Sequence, residues 1–115
     1  MEINQQRQGA VTVLKPQGPL VAQDADQFKE TLSGVLATSL GRFVVDASEI
    51  PFIDSRGLEV LKEATEHLSD SGQALRLCGA NETLREVFDL TDLSKLFEHY
   101  QDVNSAVRKI GRAHV

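Results

Sequence analysis

The sequence predicts an α/β fold, a mixed β-sheet with helices packed against it, and three observations carry that expectation. Short β-branched runs alternate with longer stretches of helical period along the chain. Residues 42–61, RFVVDASEIPFIDSRGLEVL, pass from strand to loop to helix within one stretch. Residues 2–15 read as a hairpin, which adds an antiparallel strand to an otherwise alternating pattern.

The elements follow in order. Residues 2–7 are mostly polar with Ile3 as the apolar anchor, a weak edge strand, and Gly9 marks its turn. Residues 10–15, AVTVLK, are β-branched and form the second strand; Pro16, Gly18 and Pro19 are expected to stop it. A helix is expected over residues 22–38, with Ala25, Phe28, Leu32, Val35 and Leu36 inward and Asp26, Lys29 and Glu30 outward. Gly41 precedes the central strand at residues 43–45, too short and too apolar for anything but a buried strand. After Pro51 and the apolar pair Phe52-Ile53 the period changes. Leu58, Leu61, Ala64, Thr65 and Leu68 recur at helical spacing, with Glu59, Lys62, Glu63 and Glu66 opposite. Gly72 suits the left-handed position that ends this helix. Residues 74–78 read as a further buried strand and residues 82–89 as a short helix capped by Asn81, with Leu84, Val87 and Phe88 inward. Leu96 and Phe97 mark a last strand segment, and residues 102–110 the last helix, with Val103, Ala106, Val107 and Ile110 on one face.

Composition narrows the functional classes. At 115 residues there is room for a single domain, residues 1–115. The formal charge of -5 and a pI near 5.1 argue against a nucleic-acid partner, because the basic residues cluster only at Arg108, Lys109 and Arg112. No apolar run approaches the roughly 20 residues that span a bilayer, so no direct membrane insertion is expected. One cysteine, Cys78, cannot form an internal disulfide, and the N-terminus lacks a secretory core; a cytoplasmic location is the expectation. His67, His99 and His114 are scattered without metal-ligand spacing and read as surface residues, and Cys78 as a small core residue. Asp46, Glu49 and Asp54 are not spaced to act as a carboxylate pair, and no nucleophile elbow or phosphate-cradling loop occurs. No enzyme activity, cofactor or metal is expected.

The informative stretch is residues 54–57, DSRG, where a loop becomes a helix N-terminus. Four main-chain N–H groups there lack intrahelical partners, and Asp54 or Ser55 can act simply as a cap. Gly57 within the first turn costs a helix up to about 1 kcal/mol against alanine. Something must therefore approach its backbone closely, either a ligand or a neighbouring element of the same domain.

The residues VVDASEIPFIDSRGLEVL resemble the signature of the STAS domain family, the fold of bacterial anti-sigma factor antagonists. GPL near residue 18 resembles the family's Gly-x-Leu before its first helix, and residues 75–100 resemble its closing run of strand, short helix and aromatic strand. The likeness implies a STAS-type sandwich, with about four to five strands and about four helices. It further implies a non-catalytic partner-switching module. Such a module docks on an anti-sigma factor, a serine protein kinase of the histidine-kinase-like ATPase fold. That kinase phosphorylates a Ser or Thr in the turn, and a PP2C-type phosphatase reverses the reaction. A phosphoryl group brings about -1.5 to -2 charge, which a helix N-terminus tolerates. Carried over residue by residue, the resemblance implies docking through the 53–61 loop and helix with part of the first helix: Asp24, Asp54, Ser55, Arg56, Gly57, Leu58 and Glu59.

Two departures qualify the carry-over. The family's acceptor directly precedes the glycine, and here that position is Arg56. Three readings follow: Ser55 is the acceptor, shifted by one residue; the domain is not phosphorylated here; or modification falls elsewhere, as at Ser48 or Thr65. A one-residue shift turns a side chain by about 100° around a helix. Arg56 would then pair with an acidic partner surface or with a phosphate bound from elsewhere. The second departure is Val21, where many members carry a polar residue; Asp24 and Asp26 lie further along. A rival role implied by the resemblance is a cytoplasmic STAS subunit of a lipid-transport ABC complex, or a constitutive scaffold. Dimerisation through the weak N-terminal edge strand stays open.

Overall fold

The computed structural model describes residues 1–112, with side chains through Ile110. Along the chain lie β1 (Glu2–Gln8), β2 (Val11–Gln17), α1 (Ala22–Thr38), β3 (Phe43–Asp46), α2 (Ser55–Ser69), β4 (Leu75–Cys78), α3 (Glu82–Leu90), a 3-10 turn at Ser94–Leu96, β5 (Phe97–Tyr100) and α4 (Val103–Arg112). The strands form one sheet in sequential order, β1 antiparallel to β2 and the rest parallel. The expected mixed sheet and four helices are present.

Alternation along the strands splits the core in two. Leu14, Phe43, Val45, Leu75 and Leu77 face one side and pack with Phe28 of α1, Leu61 of α2 and Phe88 of α3. Val11, Val13, Val44 and Cys78 face the other, against Ala106 and Ile110 of α4. Phe28, Phe43 and Phe88 are fully buried, and truncating any of them to alanine costs about 3–5 kcal/mol.

Four details differ from the sequence expectation. Pro16 does not end β2, which runs on to Gln17 with Pro16 opposite Ile3. Thr12 N–H donates to the Arg42 carbonyl on the β3 side (3.0 Å). Alternation turns the Pro16 nitrogen the same way, and the β3 pairing ends at Leu14, so no ladder bond is lost. The last strand is Phe97–Tyr100, because Leu93 through Leu96 curl into the 3-10 turn. In α2, Val60 is buried while Leu58 is only half-buried: the helix begins at Ser55, and its inward face runs through Gly57, Val60, Leu61, Ala64 and Leu68. Leu36 and Val87 are likewise half-buried.

Gly72 ends α2 as expected, with φ 72°, and Gln73 N–H closes back on the Leu68 carbonyl at 3.0 Å. Asn81 caps α3 by accepting from Leu84 N–H at 2.8 Å. His67 and His99 are exposed; His114 lies outside the described residues. Cys78 is buried, and desolvation pushes its thiol up to about 12.

Candidate functional site

The β2–α1 and β3–α2 connections lie side by side beyond the carboxyl ends of β2 and β3, where functional loops of parallel sheets gather. They are stitched together by main chain. Gly18 N–H donates to the Glu49 carbonyl (3.1 Å), Leu20 N–H to the Phe52 carbonyl (3.1 Å), and Asp54 N–H to the Leu20 carbonyl (3.3 Å). Leu20 and Ile53 form a parallel bridge, a one-residue extension of the sheet. On the far side Asn81 Nδ2 donates to the carbonyls of Ile50 (3.3 Å) and Pro51 (3.2 Å), which ties the loop to the start of α3.

Asp54 holds this seam. Its Oδ1 accepts from Gly57 N–H at 2.9 Å and caps α2; its Oδ2 accepts from Ala22 N–H at 3.0 Å, the first residue of α1. One carboxylate thus serves two helix N-termini. Val21 supplies no side-chain cap to α1, and Asp54 does so in its place. Ala22 has φ 47°, a left-handed conformation that costs a residue with a Cβ. The bonds to Gly57 N–H above all, then to Ala22 N–H, hold the Asp54 carboxyl below its ordinary value against the opposing effect of desolvation.

Gly57 is required by the neighbouring connection. A Cβ there would overlap the Leu20 carbonyl oxygen and lie 2.5 Å from Ile53 Cγ1. Of the two sequence explanations, close packing within the domain accounts for it.

Arg56 departs from expectation. Its guanidinium is already engaged within the domain: Nε and Nη2 each lie 2.6 Å from Asp26 Oδ1 on α1, and Nη1 lies 3.2 Å from Glu59 Oε1 one turn along α2. Hydrogen bonding to Asp26 raises its pKa further. Next along the seam Lys29 meets Glu63 at 3.0 Å and lowers that carboxyl's pKa. The acceptor position of the family pattern is therefore a bridge between α1 and α2.

The other expected residues divide clearly. Ser55 is exposed at the first position of α2. Leu58 is half-buried against the core and Glu59 exposed. Asp24, in the first turn of α1, accepts from the Met1 nitrogen at 3.2 Å. Thr65 is buried within α2, which removes it as an accessible acceptor, whereas Ser48 is exposed.

Phe52 was not singled out by its sequence. It is 51% exposed, beside the Asp54 turn. The one available signal was its place between Pro51 and a helix cap, where the chain has left the sheet and alternation no longer forces it inward. Asp26 was expected only as an outward acidic residue of the first helix; its pairing with Arg56 carried no signal, because only the packing of α1 on α2 brings the two together. No group of three or more His, Cys, Asp or Glu is placed to hold a metal among the described residues.

Comparison with known proteins matches this fold. A Thermotoga maritima protein provisionally named an anti-sigma factor antagonist is 26% identical over 89% of this chain and 91% of its own. A Thermotoga maritima crystal structure under the same name superposes with a TM-score of 0.84, at 23% identity, covering 94% of this chain and 93% of that one. An anti-sigma factor antagonist from Mycobacterium paratuberculosis gives 0.83, at 23% identity, covering 95% and 92%. The phosphorylated form of the Bacillus cell fate determinant SpoIIAA gives 0.70, at 16% identity, covering 95% and 99%. The family model described as STAS domain matches residues 2–106, and the chain belongs to that family.

Proposed function

We propose that the chain is a protein-docking module of the anti-sigma factor antagonist type. It binds an anti-sigma factor of the serine-kinase class through the 53–61 loop and helix together with the start of α1. The observation that carries this reading is the seam itself. Asp54 fastens both helix N-termini, so Phe52, Ser55, Leu58 and Glu59 share one pre-organised surface with Asp24 and Asp26. A rigid surface loses little entropy on docking, and the half-exposed aromatic Phe52, which borders the 53–61 stretch, is the kind of residue that dominates binding energy.

Docking without a phosphoryl switch is supported by Arg56. Family relatives include one with a phosphorylated form, but here the residue before Gly57 is a cation held by Asp26 and Glu59. Ser55, a residue earlier, is turned by about 100° from that position. The module then acts by occupancy alone. The same Arg56 also favours a second role, a subunit of a lipid-transport ABC complex or a constitutive scaffold, since neither needs a modifiable hydroxyl.

Fluorescence-anisotropy titration against the host's kinase-fold anti-sigma factors tests the first reading. Saturable binding, lost in Phe52→Asp and retained in the distant Asp70→Asn, is the expected outcome. No binding to any of them, with the chain instead co-purifying with membrane transport components, would move the assignment to the second role.

A further inference from the structure

β1 is an outer strand and pairs with β2 alone among the described residues. The direction of its main-chain groups follows from its neighbour. Thr12 N–H donates to Arg42 on the β3 side, so by alternation Val11, Val13, Lys15 and Gln17 address β1. Their partners are Gln8, Gln6, Asn4 and Glu2. Ile3, Gln5 and Arg7 therefore aim their N–H and C=O groups away from the sheet. Natural edges of this kind are usually blocked by a central charge, a proline or a bulge. β1 has none of these: its centre is Asn4-Gln5-Gln6, and its register with β2 runs unbroken from Glu2 to Gln8.

We propose that β1 is a self-pairing edge, and that two copies of the chain join antiparallel about Gln5 into one continuous sheet. In that register Gln5 meets Gln5, Ile3 meets Arg7 of the second copy, and Glu2 meets its Gln8. The outward residues form close pairs that exchange about six main-chain hydrogen bonds. A second copy fits for reasons of charge and closure. No like charges stand opposite one another, and Glu2 offsets Arg7. The strip is thus neutral on a chain of net charge -5, where two copies approach with little repulsion. A twofold about Gln5 also closes on itself, whereas pairing β1 with the outer strand β5 of another copy would propagate. β5 is shorter, Phe97–Tyr100, and its Glu98 is engaged by Arg76 and Tyr100. An edge contact alone buries less than a standard interface, so the association is concentration-dependent. It does not depend on the docking function proposed above.

Sedimentation velocity of the full chain from about 10 µM to about 1 mM tests this. The weight-average mass is expected to rise from 12.6 kDa towards twice that value. Gln5→Pro removes an outward N–H and leaves the β2 ladder whole, so it should stay monomeric with an unchanged circular dichroism spectrum. Should that variant misfold, Gln5→Lys sets two ammonium groups face to face and should weaken association at least about tenfold at low salt. A wild-type chain that stays monomeric throughout would overturn the proposal. So would association that survives in the folded variants, or mass that climbs past the dimer.

Discussion

Gly57→Ala and Gly34→Ala make the same chemical change in two helices, with opposite expected signs. At Gly57 the new methyl meets the Leu20 carbonyl oxygen, Ile53 Cγ1 at 2.5 Å and Ile53 Cδ1 at 3.1 Å. The carbonyl cannot step aside cheaply. It accepts Asp54 N–H, the Leu20 N–H is bound to Phe52, and the Leu20 side chain is fully buried. Overpacking costs about 1–3 kcal/mol, and an obstacle made of main chain places this site at the upper end. Alanine returns about 1 kcal/mol of helix propensity, leaving a net loss of about 2 kcal/mol. Gly34, exposed in α1, has nothing within 4 Å of a Cβ, so alanine there should stabilise by up to about 1 kcal/mol. Urea unfolding reads both. With a slope of about 2 kcal/mol/M for a small domain, Gly57→Ala should lower the midpoint by about 1 M and Gly34→Ala raise it by up to about 0.5 M. A Gly57→Ala protein as stable as wild type would refute the claim that the two connections are pressed together at this glycine.

Three further outcomes follow from the same geometry. Asp54 has a folded pKa below its ordinary 3.8, so its contribution is complete above that value and is lost as pH falls through the lower folded value; Asp54→Asn, which keeps one acceptor of two, should destabilise at pH 7 and show a shallower loss below about pH 4 in acid titrations followed by circular dichroism. Cys78, with its thiol pushed up to about 12 and buried, should resist maleimide at pH 7 in the native protein and react within minutes once urea unfolds it. Arg56→Ala should barely move the unfolding midpoint, since its ion pairs are exposed, and salt should erase what difference remains.

Much of the fold was legible because local signals agreed with tertiary demands. Residues 22–38 carry a helical apolar stripe that the sheet buries, and Asn81 and Gly72 are capping residues with caps to make. Pro16 misled because its effect depends on which side of β2 the missing N–H faces, which only strand pairing decides. The start of β5 misled because Leu96 and Phe97 look alike, while Leu96 closes the 3-10 turn and Phe97 begins the strand. At the site, Asp54 was legible as a helix cap, but its second bond, to Ala22, joins residues far apart in sequence. The Arg56 pairing to Asp26 was hidden for the same reason: it is a property of how α1 lies on α2. Nothing in the apolar pair Phe52-Ile53 told its members apart, whereas only Ile53 extends the sheet towards Leu20 and Phe52 is left half-exposed.

One titration bears most directly on the proposed function: the chain against the kinase-fold anti-sigma factor it is proposed to bind, with ADP and then with ATP, followed by fragment mass analysis of residues 42–62. One saturable affinity is expected, equal in both nucleotides and abolished by Phe52→Asp, with no phosphoryl group on Ser55. Binding that decays in ATP as Ser55 gains a phosphoryl group would contradict the unswitched mechanism, and Phe52→Asp binding as tightly as wild type would contradict the docking surface itself.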